Sequence, residues 1–220
     1  MKTALITGAT GAIGSAIASL IAKKAFKVII VARNKHKADK LVQKLVKETR
    51  NNDISYLIAD VSRKDKIASI SGKLNDPIDV LINNAAVTPR QREETPEGIE
   101  MQFATNIMGY FWMMTEFSQI LLDSSPSRIV NVASYWAGGL DLGDLQFTTR
   151  TYDNDAAYRQ SKQAERMLTV AFAERLRDHG VLVNACHPGD VNSTLSNNLG
   201  FGGHETPQQA AATPVWLSLS

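Results

Sequence analysis

This 220-residue sequence predicts an α/β fold: a doubly wound parallel sheet with helices on both faces. Three observations lead there. Short β-rich runs alternate with longer stretches of helical period. The strand candidates are apolar on both faces, as strands covered by helices on two sides must be. The first strand runs into a glycine turn that opens a helix.

The expected strands cover residues 4–7, 27–32, 55–59, 79–83, 128–133 and 181–187. After the first strand, Ile13, Ala16, Ile17, Leu20 and Ile21 recur at helical spacing, as do Leu41, Val42, Leu45 and Val46 after the second. Ile67, Ile70 and Leu74 repeat the pattern after the third. One long helical stretch is expected over residues 99–122 and another over 156–179, the latter stopped by Gly180. Residues 135–155 are rich in Gly and Asp without a clean period, which reads as a loop with one short element. No repeat, low-complexity tract or long linker divides the chain, so a single domain over 1–220 is expected.

A chain with 44% hydrophobic and 21% charged residues suits a soluble globular domain large enough to bury a substantial core. A formal charge of +2 is too small to make nucleic acid or a membrane surface the principal partner. Cys186 is the only cysteine, so an internal disulfide and a multi-cysteine zinc site are both excluded, and no metal is expected. With no secretory leader before the first strand and no apolar run near the roughly 20 residues of a membrane span, a cytoplasmic protein is the expectation.

The stretch "LITGATGAIG", residues 5–14, places Gly8, Gly11 and Gly14 at every third position, unlike the G-x-G-x-x-G dinucleotide fingerprint. A strand, a glycine turn and a helix start still make an anion site, because outward N–H groups and the helix dipole favour negative charge. The alternative is a plain βα turn. Further along, "AAYRQSKQAE" sets Tyr158 four residues before Lys162, on one face of an expected helix. No other tyrosine has a lysine at that offset, although chance supplies one about one time in twenty. A free phenol, titrating near 10, is a poor proton carrier at neutral pH. Bringing it to about 7 takes about 4 kcal/mol of preferential phenolate stabilisation, part of which a nearby ammonium can supply.

Taken together, these stretches resemble the short-chain dehydrogenase/reductase superfamily. "TGATGAIG", with Thr10, Gly11, Ala12 and Ile13 at its centre, matches the T-G-x-x-G-x-x-G of the extended branch and departs from the T-G-x-x-x-G-x-G of the classical branch at Ala12. Other motifs favour the classical branch: "INNAA" with Asn84 and Ala85 is similar to N-N-A-G and "NIMGYF" to N-x-x-G-x-F, and Ser134 fits the same pattern, while "HPGDV" resembles the family's P-G-x-V. The resemblance implies a Rossmann-type sheet and carbonyl–alcohol interconversion by hydride transfer. Tyr158 would be the general acid/base, Lys162 would bind the nicotinamide ribose, Ser134 would hydrogen-bond the substrate oxygen, and Asn106 would hold a relay water. It further implies cofactor contacts from Gly8, Gly14, Asp60, Val61, Pro188, Gly189 and Val191. Ser134 and Asn106 also have plainer readings, as a strand-end hydroxyl and a helix anchor.

The second strand ends in "VIIVARNKHK", with Ala32 where a carboxylate would bind the ribose hydroxyls of NAD. Arg33 follows, with Lys35 and Lys37 nearby, and a guanidinium can clamp a 2′-phosphate, so NADP(H) is favoured over NAD(H). The 24 positions from Ser134 to Tyr158, and the residues around them, look like the retinol dehydrogenase-like and WW-domain oxidoreductase-like subgroup. Members of that subgroup often reduce lipophilic carbonyls, and Trp136, Phe147, Tyr152, Phe201 and Trp216 are candidate pocket aromatics. The small-molecule substrate is thus a carbonyl or alcohol, and the family usually forms homo-oligomers. Two other readings stay open: a catalytically silent nucleotide-binding member, and an NAD-dependent sugar-nucleotide epimerase. The family's final strand is expected to be missing, which would leave an open sheet edge.

Overall fold

The computed structural model describes residues 1–74 and 76–220. Six parallel strands, β1 (Thr3–Thr7), β2 (Lys27–Ala32), β3 (Ile54–Ile58), β4 (Val80–Asn83), β5 (Ser127–Val132) and β6 (Val181–Cys186), form one sheet in the order β3-β2-β1-β4-β5-β6. Each lies within one residue of its expected place. The helices are α1 (Ala12–Ala22), α2 (Lys35–Thr49), α3 (Lys64–Ser71), α4 (Gly109–Glu116), α5 (Ser118–Asp123), α6 (Asn154–Leu176), α7 (Thr194–Asn198) and α8 (Pro207–Leu219).

Alternate strand residues face opposite sides, so β1 sends Ala4 and Ile6 into one core and Leu5 into the other. The first core packs Val28, Ile30 and Ile82 against Ile17 and Ile21 of α1, Leu41 and Leu45 of α2, and Val215 of α8. The second packs Ile29, Leu81 and Ile129 against Ile67 of α3, Trp112 of α4, Leu121 of α5 and Phe172 of α6. At the sheet's margin the two-sided apolar pattern fails. β3 buries only Ile54 fully and leaves Ile58 43% exposed, because an edge strand is covered less completely.

Three expectations need correction. The single helix over 99–122 is instead a π-helical turn, Phe103–Met108, followed by α4 and α5, which meet at Phe117. The wider π turn lets Asn106 face inward, and Phe117 leaves helical geometry to bury its ring completely. Residues 135–153 hold no helix or strand; turns alone carry the chain to α6. The last long helix ends at Leu176 and tightens into a 3-10 turn, Arg177–His179, before Gly180 at φ +75°. β6 has no strand on its outer side among the described residues, and its Leu182 is half exposed.

Candidate active site

Between β1 and β4 the strand order reverses, and the connections leaving their C-terminal ends part to opposite faces of the sheet. The crevice opened there is a cavity of about 570 Å³. Its floor is the turn after β1. Gly8 takes φ +65° and lies so close to the segment after β4 that an added Cβ would sit 2.7 Å from the Ala85 Cα. At Gly14 an added Cβ would fall 2.3 Å from the Gly8 carbonyl, so only glycine lets α1 press against its own entry turn.

Asn84 braces this turn from across the crevice. Its side-chain amide donates to the carbonyls of Thr7 and Gly8, while the Thr7 hydroxyl accepts from the backbone N–H groups of Asn84 and Ala85. Gly11, as N-cap of α1, brings no side chain to bond the first turn. The N–H groups of Ala12, Ile13 and Gly14 are therefore free to meet an anion, and all three residues line the cavity with Thr10. Ala12 adds its methyl at this helix start.

Arg33 and Lys37, both exposed, line one end of the cavity where β2 runs into α2. Lys35 turns elsewhere and pairs with Asp39 at 3.3 Å. Asp60 and Val61, after β3, form the neighbouring wall, and one Asp60 oxygen accepts from the backbone and hydroxyl of Ser62. Pro188, Gly189 and Val191 close the far side, and the Asp190 N–H is held by Glu205 at 2.8 Å.

Ser134, Tyr158 and Lys162 line the same cavity as the glycine turn. Ser134 stands just beyond β5 and accepts from the Trp136 N–H at 3.1 Å. Tyr158 and Lys162 sit one turn apart on α6, the lysine ammonium 5.8 Å from the centre of the phenol ring. Asp153 caps that helix by accepting from the Ala156 N–H, which fixes the register of both side chains. Asn106 is placed differently from the others. Wholly buried and outside the cavity wall, it accepts from the Val87 N–H and donates to the Val87 carbonyl, Gln102 and Ser161. It thereby ties the segment after β4 to α6, directly behind the tyrosine.

One residue that sequence reasoning passed over stands at the centre. Glu165 is fully buried and accepts from the Lys162 ammonium at 2.7 Å, while the lysine's other bond goes to the Val132 carbonyl at 2.9 Å. The signal lay in the spacing, since Lys162 and Glu165 are three apart and share a face with Thr169, Phe172 and Leu176. That face is the buried one, so the pair could not be a solvated one. Burial pushes the Glu165 carboxyl up to about 7 against the pull of the ammonium, and pushes the Cys186 thiol up to about 12.

Of the aromatic candidates, Trp136 and Phe201 line the cavity with ring centres 4.7 Å apart. Phe147 and Tyr152 pack on each other within the loop before α6, and Trp216 is 64% exposed on α8; none of these three lines the cavity. Among the described residues no helix is long and apolar enough to cross a membrane.

The family model for short chain dehydrogenases matches residues 2–201. Retinol dehydrogenase 13 of Homo sapiens is 33% identical over 221 residues, covering 98% of this chain and 67% of its own. Polyprenol dehydrogenase of Homo sapiens is 30% identical, covering 100% and 73%. Among solved structures, salutaridine reductase from Papaver somniferum has a TM-score of 0.82 at 18% identity, covering 100% of this chain and 96% of that one. A short-chain dehydrogenase from Sphingobium yanoikuyae in complex with NADPH has a TM-score of 0.76 at 23% identity, covering 96% and 81%. The chain belongs to the short-chain dehydrogenase family, oxidoreductases of CH–OH and C=O groups, and its relatives include retinol dehydrogenases.

Proposed function

We propose that this protein is an NADP(H)-dependent oxidoreductase that interconverts a carbonyl and an alcohol, with Tyr158 as general acid/base. One observation carries the reading: Tyr158, Lys162 and Ser134 open into the cavity that the glycine turn and the free end of α1 also line. A nicotinamide cofactor held along the glycine turn would supply the hydride. The protein's own part is to deliver a proton to the carbonyl oxygen from the Tyr158 hydroxyl, or to accept one in reverse. The Lys162 ammonium steadies the negative oxygen of that tyrosine and would hold the cofactor's ribose, and Ser134 would orient the substrate oxygen. Asn106 acts indirectly, by fixing α6 against the segment after β4.

Support for NADP(H) over NAD(H) comes from Arg33 and Lys37 at the cavity end, and from Ala32, where a carboxylate would repel a 2′-phosphate. The NADPH named with the Sphingobium structure agrees. Trp136 and Phe201 make the substrate end of the cavity suited to a lipophilic carbonyl or alcohol. We extend the reading to a single catalytic domain over 1–220, working in the cytoplasm as a homo-oligomer.

The test is oxidation of NADPH and NADH, side by side, across a panel of aldehydes and ketones. Carbonyl-dependent oxidation that is faster with NADPH is expected. Arg33→Ala should then raise the KM for NADPH about tenfold, the loss of about one charge-assisted phosphate contact, and leave that for NADH unchanged. Cofactor binding without turnover on every carbonyl would overturn the reading in favour of a silent nucleotide-binding protein.

A further inference from the structure

Glu165 stands behind Lys162 as seen from the cavity. Lys162 lines that cavity and Glu165 does not. An ammonium has three hydrogens. One goes to Glu165, one goes to the Val132 carbonyl, and the third is left for the cavity side. The second oxygen of Glu165, Oε1, is buried without a donor among the described residues.

Such a pair is a poor device for stability alone. Removing two charges from water costs about what their mutual attraction returns, and an apolar side chain would fill the same space without that cost. The unmet oxygen adds a further penalty. Position 165 is instead surrounded by the proposed chemistry: Tyr158 from α6, Tyr110 from α4 and Cys186 from β6 are the titratable groups that face the Lys162–Glu165 pair.

We infer that Glu165 is a positioning residue for the reaction: it holds the Lys162 ammonium by one hydrogen, keeps it charged in a buried site, and offsets part of its field at the Tyr158 hydroxyl. This inference rests on the carbonyl–alcohol reaction proposed above. Burial works against the lysine's charge, yet Glu165, together with Tyr158 and Cys186, outweighs it and holds Lys162 above the usual lysine range. With Glu165 in place, one negative charge accompanies the ammonium before the tyrosine gives up its proton, so the lysine's field is balanced from behind.

Glu165→Gln keeps an oxygen for the lysine and removes the charge. The groups facing position 165 then hold their protons less tightly, and the alkaline limb of the pH profile of kcat/KM for carbonyl reduction moves down by about one unit, a tenfold effect on that limb. Glu165→Asp keeps the charge and shortens the reach. Its alkaline limb should stay in place while kcat falls several-fold. An E165Q profile that superimposes on the unmodified one overturns the inference, and so does full kcat in E165D. The aspartate variant carries the test alone if the glutamine variant does not fold. Should the unmodified protein turn over no carbonyl, the proposed reaction fails by itself. NADPH affinity against pH then decides the inference: loss of affinity in E165Q at a pH about one unit lower supports it, and an unchanged dependence overturns it.

Discussion

Two buried carboxylates are held by the segment from residue 135 to the end of α6, and the fold treats them in opposite ways. Asp144, in the loop before the helix, accepts from the backbone and hydroxyl of Thr148, the backbone and hydroxyl of Thr149, and the backbone of Arg150, at 2.7–3.1 Å. Glu165, inside the helix, has one donor and one unmet oxygen. Burial works against the charge in both. At Asp144 the hydrogen bonds from Thr148 and Thr149 outweigh it and hold the carboxyl well below the usual carboxylate range. At Glu165 burial wins, and the carboxyl stands near 7. A carboxylate with every lone pair met is there to hold backbone in place. One left half-met beside a lysine is there for its charge.

The sharpest way to break this contrast is to remove the lysine. Lys162→Met leaves Glu165 without its counter-ion, and breaking such a buried pair should lower stability by about 3–5 kcal/mol and abolish carbonyl turnover. Urea denaturation reads the first effect and NADPH oxidation the second. Native stability in this variant would mean that Glu165 is indifferent to its neighbour.

Next in size are opposite pH slopes. A carboxyl held below its unfolded value, as at Asp144, contributes stability that is present above the ordinary 3.8 and is lost as pH falls through its native value. A carboxyl held above its unfolded value, as at Glu165, binds its proton more tightly when folded. Stability therefore declines as pH rises from the ordinary 4.5 to about 7. Denaturation midpoints measured from pH 2 to 8 should lose their acid-side rise in Asp144→Asn and their decline toward neutrality in Glu165→Gln. If both variants flatten the same limb, the two sites do not differ as described. The smallest effect belongs to the loop. In Asp144→Ala, residues 141–150 should be cut faster by protease while α6, and with it NADPH binding, is retained. Loss of binding would show that this loop shapes the cofactor end of the cavity.

The same contrast explains what could be read without coordinates. Strands covered on both sides are continuous apolar runs, and the six were legible to within a residue. The Tyr158–Lys162 spacing was legible because a helix puts such pairs on one face, and the glycine turn because Gly8 and Gly14 meet backbone that no side chain could approach. The π turn at Phe103–Met108 was not, since it follows from the bonds of Asn106 to Val87 and Ser161, far apart in the chain. Nor was the order in the loop before α6, which depends on five donors converging on Asp144 rather than on any period. The fate of the aromatics was also hidden. Phe147 turns inward beneath Arg150, whose guanidinium lies 3.9 Å from its ring centre, whereas Trp136 and Phe201 reach the cavity.

The central claim is that the Tyr158 hydroxyl carries the proton for a carbonyl held beside the cofactor. Tyr158→Phe removes that hydroxyl and little else, so the decisive measurement is carbonyl-dependent NADPH oxidation by this variant, with NADPH binding followed in parallel by quenching of tryptophan fluorescence. Binding should be kept, and kcat should fall by about 100-fold or more, the usual worth of a positioned general acid. Turnover equal to that of the unmodified protein would contradict the account.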